Sequence, residues 1–330
     1  MQPMSPILSI CIPTLNRCDY LQKAIKSIFD AQCDLSKVEL CISNNASDHD
    51  YSTIKILLSS GPESLTIRYV EQQTRLPVDE HMLVVKNLAI APYIYFLGDD
   101  DFFLSDQLHL LVNLIEREAP DLAIFNGILV NGRDQVIGAH FELPSQSYNS
   151  ISTAFNDLRD KGMFGAVLVK AKYLDDTDFR KLFGTAHGYG CYWFGLFSAH
   201  FRQQTMHVMI PNFPLVALRM AAKSYSHLEV YFRDIPYEIA VYQRFLPAGI
   251  PQQLNDKFKS RYQRKISSCL FLTQLCNSEV EIEHIRDINP SFYREYRFKI
   301  VVSKFLARSG AYNFSRRIYK TYFQRKRLPE

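Results

Sequence analysis

A chain of 330 residues, 47% apolar and 22% charged, has room for one large domain, or one domain with an appendage, around a substantial core. No stretch reaches the roughly 18 apolar residues of a bilayer-spanning helix, and the first apolar run, residues 7–13, is short with no basic segment before it, so neither a membrane span nor a secretory leader is expected. Seven cysteines without a C-x-x-C pair argue against a zinc site and read as reduced thiols of a cytosolic protein. The net charge of +4 conceals an imbalance: residues 251–330 carry 17 Lys and Arg against 7 Asp and Glu, which leaves 21 against 27 in residues 1–250. The two portions are expected to face different partners.

In chain order, Ile7-Leu8-Ser9-Ile10-Cys11-Ile12 is an apolar run ended by Pro13, the pattern of a first parallel strand. The turn 13–17 leads into an amphipathic helix with Leu21, Ala24, Ile25, Ile28 and Phe29 on one stripe. Residues 38–43 form a second strand, followed by the polar turn Asn44-Asn45-Ala46-Ser47-Asp48 and a helix start. A third strand is expected at 66–71, a helix at 80–91 with His81 near its start, a fourth strand at 93–97, a helix at 104–117 and a strand at 121–126. This alternation predicts an α/β fold, a doubly wound, mostly parallel sheet flanked by helices, over the first ~130 residues.

The fourth strand runs through Leu97 and Gly98 into Asp99, Asp100 and Asp101. Ligands of open α/β sheets bind at the carboxyl ends of strands. Three adjacent carboxylates repel one another, and a hard cation such as Mg²⁺ or Mn²⁺, shared with substrate phosphates, relieves that repulsion. The competing expectation is an acidic surface turn in which Asp101 or Ser105 caps the next helix. Two other strand ends are also polar, Thr14/Asn16/Arg17 and Asn44/Asn45/Ser47. If those strands are neighbours, the three clusters meet at one edge. Neither G-x-G-x-x-G nor G-x-x-x-x-G-K-[ST] follows the first strand, which disfavours a dehydrogenase and a P-loop NTPase.

Three segments, Ile-Cys-Ile-Pro-Thr-Leu-Asn-Arg (10–17), Leu-Cys-Ile-Ser-Asn-Asn-Ala-Ser-Asp (40–48) and Tyr-Phe-Leu-Gly-Asp-Asp-Asp (95–101), together resemble a family 2 glycosyltransferase of the GT-A fold in wording, order and spacing. The resemblance covers residues 6–220, and its wording is similar to bacterial O-antigen enzymes such as abequosyltransferases. It implies that Pro13 and Thr14, with Asn16 and Arg17 beside them, line the nucleotide-sugar pocket. Asn44 or Asn45 stands where the family usually has an acid contacting the base. Asp99–Asp101 form the D-x-D element that binds the donor diphosphate through Mg²⁺ or Mn²⁺. Gly98 takes the place of the usual first Asp, which favours Asp100 and Asp101 as the metal-proximal pair. Arg75 and His81 fall where family members often have N-x-G-x-x-x-N, a motif missing here.

Further along, a helix is expected around 152–161 and a strand at 165–169, then a polar stretch with Asp175, Asp176 and Asp178, a glycine-rich loop 184–190 and an aromatic helix 191–201. In the family this region supplies the acceptor site and a catalytic acid or base, usually from an acidic pair, and no Glu-Asp pair is present. An inverting transfer needs a base of near-neutral pKa, for which His187 is the nearest group and Asp176 and Asp178 are reserves. Tyr192 and Trp193 are candidates to stack on an acceptor sugar. Residues 214–219 resemble the family's last core strand, where Arg219 would grip the departing diphosphate.

Residues 251–330 lie outside the resemblance and read as a basic helical region, so the expected division is 1–250 and 251–330. Basic and aromatic residues interleave from Tyr293 to Arg327, a pattern suited to an anionic membrane surface (residues 293–327) and not accompanied by any nucleic-acid motif. The resulting expectation is a cytoplasmic glycosyltransferase, peripheral on the inner face of the membrane, acting on a saccharide acceptor that is lipid-linked. A catalytically inactive nucleotide-binding assembly subunit and a sugar-phosphate nucleotidylyltransferase are the alternatives.

Overall fold

The computed structural model describes residues 5–141, 144–149, 153–154, 165–174, 205–220, 228, 230–234, 236, 252–277 and 282–309. The chain divides into two compact units, residues 1–224 with 245–250, and residues 225–244 with 251–330. Residues 225–244 thus group with the second unit.

The first unit is built on an eight-stranded sheet. Its strands are β1 (Leu8–Thr14), β2 (Val38–Asn44), β3 (Thr66–Glu71), β4 (Tyr93–Phe96), β6 (Leu122–Ile124), β9 (Gln146–Tyr148), β10 (Val167–Lys170) and β11 (Val208–Ile210), in the order β3-β2-β1-β4-β10-β6-β11-β9. The half formed by β3, β2, β1 and β4 is parallel throughout. β10 then enters antiparallel between β4 and β6, and β6 pairs parallel with β11. The fold is the expected GT-A type α/β architecture, a large sheet flanked by helices.

β1 and β2 are buried on both faces, as parallel strands under helices must be. Leu8, Ile10 and Ile12 join Leu40 and Ile42 in a core closed by α1 (Cys18–Phe29), α2 (Ser52–Ser59) and α4 (Gln107–Glu118). Of the stripe read from the sequence, α1 buries Leu21, Ala24, Ile25 and Ile28 and half-buries Phe29. Burial of its three large side chains contributes on the order of 5–9 kcal/mol before chain entropy is set against it. The opposite face of β1 and β2 carries Ser9, Cys11, Glu39 and Cys41, and α3 (Val78–Leu88) covers it, with the Cys11 Sγ 3.7 Å from the Val85 carbonyl. The fully buried Glu39 carboxylate accepts the Ile90 and Ala91 amides at 2.6 and 3.0 Å and the Arg68 Nε–H at 3.2 Å. These bonds fasten the entry to β4 onto β2.

A second, four-stranded sheet has the order β5-β12-β7-β8, from β5 (Phe102–Phe103), β7 (Asn126–Val130), β8 (Val136–Ala139) and β12 (Pro214–Arg219). Residues 214–219, read as resembling the family's last core strand, are the buried strand between β5 and β7. The physical reason is β5: Phe102 and Phe103 follow the acid turn directly and pair antiparallel with Ala217 and Val216. β12 is thereby drawn to the turn.

The second unit's described helices are α5 (Gln252–Ile266), α6 (Cys269–Asn277), α7 (Ile285–Ile288) and α8 (Pro290–Arg308). They enclose their own core of Leu228, Phe232, Tyr262, Ile266, Leu272, Leu275, Ile285, Phe292 and Ile300. The Asn289 carboxamide caps α8 through the Phe292 amide at 3.1 Å. Among the described residues no helix is long and apolar enough to cross a membrane.

Candidate active site

β2, β1 and β4 are neighbours, so the three polar strand ends meet at one edge of the sheet. Register carries the ladder past the strands: Thr14 lies opposite Asn44, the Asn45 amide reaches the Thr14 carbonyl at 2.9 Å, and the Leu97 amide reaches the Cys11 carbonyl at 3.0 Å.

The loops after β1 and β2 are locked together. Asn16 adopts the left-handed region at φ 57°, tolerated by Asn because its short amide finds local partners. Its amide donates to Ser47 Oγ at 2.9 Å, and its carboxamide both donates to Asp48 Oδ2 at 3.2 Å and accepts the Asp48 amide at 2.7 Å. Ala46, at φ 52°, holds a strained conformation that these bonds maintain. Asn44 Oδ1 accepts the Ser47 amide at 3.1 Å. Asn45 clasps the Leu76 backbone twice, at 2.8 and 2.9 Å. Asn44 and Asn45, of which one or the other was expected beside the base, both have side chains bound to loop backbone. Pro13, half-buried, lies opposite Ser43 in the ladder. Ser43 in turn shares a hydrogen bond of 3.0 Å with His81 Nε2, whose pKa burial pushes down to about 4. Arg75 pairs with Asp48 on the loop surface.

The acid turn is a built structure rather than an exposed loop. Asp99 and Asp101 are buried, and the Asp101 amide closes the turn onto the Gly98 carbonyl at 3.1 Å. Asp99 Oδ2 accepts the Leu15 amide at 3.3 Å, and its Oδ1 lies 3.0 Å from Arg17 Nη1. The same nitrogen is 2.9 Å from Asp100 Oδ2. Asp101 Oδ1 accepts the Arg219 amide at 2.8 Å. The alternative in which Asp101 or Ser105 caps α4 does not hold. Asp106 occupies the N-cap position and its side chain makes no cap bond, while the Asp101 carboxylate points to β12. Gly98 is explained by space: a Cβ there would lie 2.6 Å from Asp101 Oδ2.

Burial dominates the electrostatics. It pushes the Asp99 carboxyl up to about 6 against the pull of Arg17. Burial, then the neighbouring Asp100 charge, holds Asp101 well above the usual carboxylate range, and burial raises Asp100 as well. Burial works against the Arg17 charge, yet Asp99 and Asp100 outweigh it and hold the guanidinium above its ordinary value.

Arg219 reaches the turn from β12. Its guanidinium side chain is 2% exposed, donates from Nε to the Asp100 carbonyl at 3.0 Å and from Nη1 to the Asn131 carbonyl at 3.3 Å, and pairs with Asp134. It lies 4.7 Å from the Tyr20 ring centroid. The guanidinium expected to grip diphosphate is bonded to the backbone of the turn at Asp100 and to Asn131. Lys23 also pairs with Asp134 and sits 3.9 Å over the Phe102 ring.

The structure adds Tyr51, which the sequence reading missed. Its buried hydroxyl lies 2.8 Å from Thr14 Oγ1 and accepts the Arg17 amide at 3.2 Å. A tyrosine just before a helix start gives no motif signal, and only the fold brings it under Thr14. Asp176, Asp178, His187, Tyr192 and Trp193 lie outside the described residues.

The chemistry of the acid turn suits a hard cation, since its donors are carboxylate oxygens alone. Among the described residues no three His, Cys, Asp or Glu side chains converge as a cage for a metal. The fit is to an ion of the Mg²⁺ type, which takes one or two carboxylates and fills its shell with phosphate oxygens and water.

Comparison with known proteins agrees with this geometry. Curated relatives match over about a third of the chain. Abequosyltransferase RfbV of Salmonella typhimurium (strain LT2) is 31% identical over 113 residues, 34% of this chain and 34% of the relative. Uncharacterized glycosyltransferases of Rickettsia conorii and Rickettsia felis are 28% and 30% identical over 109 residues, 33% of this chain and 17% of each relative. The chain thus spans well under two thirds of the length of these relatives. Among solved structures, S. aureus TarS 1–349 in complex with UDP-GlcNAc aligns over 92% of both chains with a TM-score of 0.59 at 13% identity. The complex of the same fragment with UDP gives 0.56 at 15% identity, over 92% of this chain and 91% of that one. At such identities the likeness is one of fold. The model of the Glycosyl transferase family 2 matches residues 9–200, more than half of the chain, and the chain belongs to that family.

Proposed function

We propose that this chain is a glycosyltransferase that moves a sugar from a nucleotide-sugar donor to a hydroxyl of a saccharide acceptor in bacterial surface polysaccharide synthesis, of the O-antigen or capsule kind. The observation that carries this reading is the meeting of the β1, β2 and β4 ends around Asp99–Asp101, in a family 2 chain. The TarS complexes with UDP and UDP-GlcNAc support a uridine nucleotide as the first donor to test. The RfbV relative, an abequosyltransferase, supports sugar transfer as the reaction to test, and the acceptor is proposed to be lipid-linked.

In this reading Pro13 and Thr14 line the pocket, Asn44 and Asn45 hold its loops, and Asp100 and Asp101 would hold a divalent ion, the usual cofactor of GT-A enzymes. Bound there, such an ion supplies positive charge against the charge that develops on the leaving diphosphate. Tyr51 fixes Thr14 and the Arg17 backbone, and Arg219 fixes the backbone of Asp100 and the Asp101 carboxylate. The acceptor hydroxyl must lose its proton as the sugar is transferred. His187 is the proposed base, with Asp176 and Asp178 in reserve, and Tyr192 and Trp193 are proposed to stack on the acceptor.

In this reading the enzyme lies peripherally on the cytoplasmic face of the membrane through residues 293–327, of which 310–327 lie outside the described residues. Within α8, Phe298, Val301 and Phe305 are 77, 61 and 70% exposed and follow at i, i+3 and i+7, while Phe292, Ile300 and Ser303 face the core. Arg294, Arg297, Lys299 and Arg308 are exposed on the same helix. An apolar stripe with a basic border matches an anionic lipid surface, at about 1 kcal/mol per basic residue near it.

The decisive assay incubates the protein and Mn²⁺ with a panel of nucleotide sugars and a bacterial lipid extract, and follows nucleoside diphosphate release together with sugar transfer to lipid. Transfer from one donor is expected. Binding of nucleotide without turnover would instead favour the assembly-subunit reading.

A further inference from the structure

The second unit contains a cavity of about 400 Å³, within the size range of small-molecule sites, lined from α5, from Asn289 and the start of α8, and by Pro236. All of these residues belong to that unit, so the cavity shares no residue with the acid turn.

One part of its lining is aromatic and fixed. Tyr262 and Phe292 are buried, and Tyr296 is half-buried. The Phe292 ring packs on Phe232 and Tyr296, with centroids 4.9 and 4.6 Å away. The Tyr262 hydroxyl donates to the Tyr231 carbonyl. The Asn289 carboxamide donates to the Phe232 carbonyl at 3.1 Å and accepts the Ser291 hydroxyl at 2.9 Å and the Phe292 amide at 3.1 Å. α8 leaves helical geometry at Tyr296, although neither Pro nor Gly stands at the bend. The segment before the bend lines the cavity, while Ile300 and Ser303 beyond it are buried. The other part of the lining is polar. Lys259 and Gln263 are i, i+4 neighbours on α5, and Glu295 stands on α8. Lys259 is half-buried, whereas Gln263 and Glu295 are exposed, so the cavity opens to solvent.

This combination selects a class of ligand. An anion gains from Lys259 but meets Glu295, and a cation meets the reverse. A hydrocarbon would take water from Lys259, Gln263 and Glu295 and return no hydrogen bond. A sugar ring answers both parts: its hydroxyls accept from Lys259 and Gln263 and donate to Glu295, and its C–H face packs on the aromatic lining. We infer that the cavity is a second saccharide site, which holds one sugar unit of a glycan and takes no part in the chemistry of the acid turn. The inference rests on the transferase reading only for the class of molecule at hand, a glycan. Glu295 precedes Phe298 by three residues on α8, so the cavity mouth borders the exposed stripe of Phe298, Val301 and Phe305. A glycan whose lipid end met that stripe would present its sugars to the cavity.

The test is saturation-transfer difference NMR on the full chain, with the methyl glycosides of glucose, galactose, mannose, rhamnose and N-acetylglucosamine. Phenylalanine is the rival probe, a zwitterion that could satisfy Lys259 and Glu295 without hydroxyls. At least one glycoside is expected to bind, and Lys259→Ala and Glu295→Ala are each expected to weaken it about tenfold, the usual loss for a hydrogen bond to a charged group. Far-UV circular dichroism checks that both variants fold. Gln263→Trp, at an exposed position, fills the mouth and is expected to abolish binding even if either of those variants fails to fold. UDP with Mn²⁺ is expected not to displace the glycoside. Binding of no glycoside, binding of phenylalanine alone, binding that survives Gln263→Trp, or displacement by UDP and Mn²⁺ overturns the inference. Failure here leaves sugar transfer untouched, because the readout involves no turnover, and a chain that transfers no sugar can still bind the glycoside.

Discussion

Replacing Asp99 by Asn should stabilise the protein while it weakens donor binding, because the acid turn is assembled against its own electrostatics. Burial lifts the Asp99 carboxyl from an ordinary 3.8 to about 6, even with Arg17 at 3.0 Å. A carboxyl whose folded value lies above its unfolded value is a cost that appears as pH rises: absent below about 4, complete above about 6. That rise corresponds to about 3 kcal/mol. Asn keeps the shape and removes this cost, but its amide nitrogen must face either the Leu15 amide or Arg17, which takes back about 1 kcal/mol. The net expectation is a gain of about 2 kcal/mol at pH 7.5, fading to zero or below at pH 4. Urea unfolding followed by far-UV circular dichroism across that range measures it for wild type and variant. Parallel pH profiles, or a variant less stable at pH 7.5, would refute the reasoning.

The other substitutions probe how the turn is held. Gly98→Ala puts a Cβ 2.6 Å from Asp101 Oδ2. Thermal unfolding should show a loss of about 1–3 kcal/mol, with nucleotide affinity falling in step. Tyr51→Phe removes the hydroxyl shared by Thr14 and the Arg17 amide. It should cost about 1 kcal/mol of stability and raise the donor KM more than it lowers kcat, as steady-state kinetics would report. Phe298→Ser with Phe305→Ser exposes no core, so stability should stay within about 0.5 kcal/mol. Sedimentation with vesicles rich in phosphatidylglycerol should drop sharply for this double variant, and undiminished sedimentation would remove α8 as the lipid-facing helix.

Much of the site was legible because parallel strands buried on both faces write themselves as apolar runs. Residues 7–12, 38–43 and 93–97 each end in polar residues, and the fold makes those three strands adjacent. The burial of Leu21, Ala24, Ile25 and Ile28 was equally plain in their spacing. What escaped depends on long-range pairing. β5 has two residues and β8 is exposed throughout, so neither carries a periodic signal, and the four-stranded sheet was missed with them. The role of Arg219 follows from that sheet, because its backbone and guanidinium partners come from the acid turn and the β7–β8 connection. Asp101 read equally well as a helix cap or a ligand in one dimension, and only β12 pairing decides that its carboxylate receives the Arg219 amide. The antiparallel insertion of β10 between β4 and β6 likewise leaves no local mark.

The central claim is that the Asp99–Asp101 turn and the β1 and β2 ends form a donor diphosphate site. Calorimetric titration with UDP, GDP, CDP and TDP, with and without Mn²⁺, tests it on wild type and on Asp100→Asn. One nucleotide is expected to bind only with Mn²⁺, to stabilise the protein by about 2.7 kcal/mol at 100 times its Kd, and to lose its affinity in the variant. Binding of none of the four, or binding indifferent to both Mn²⁺ and Asp100, would contradict the claim.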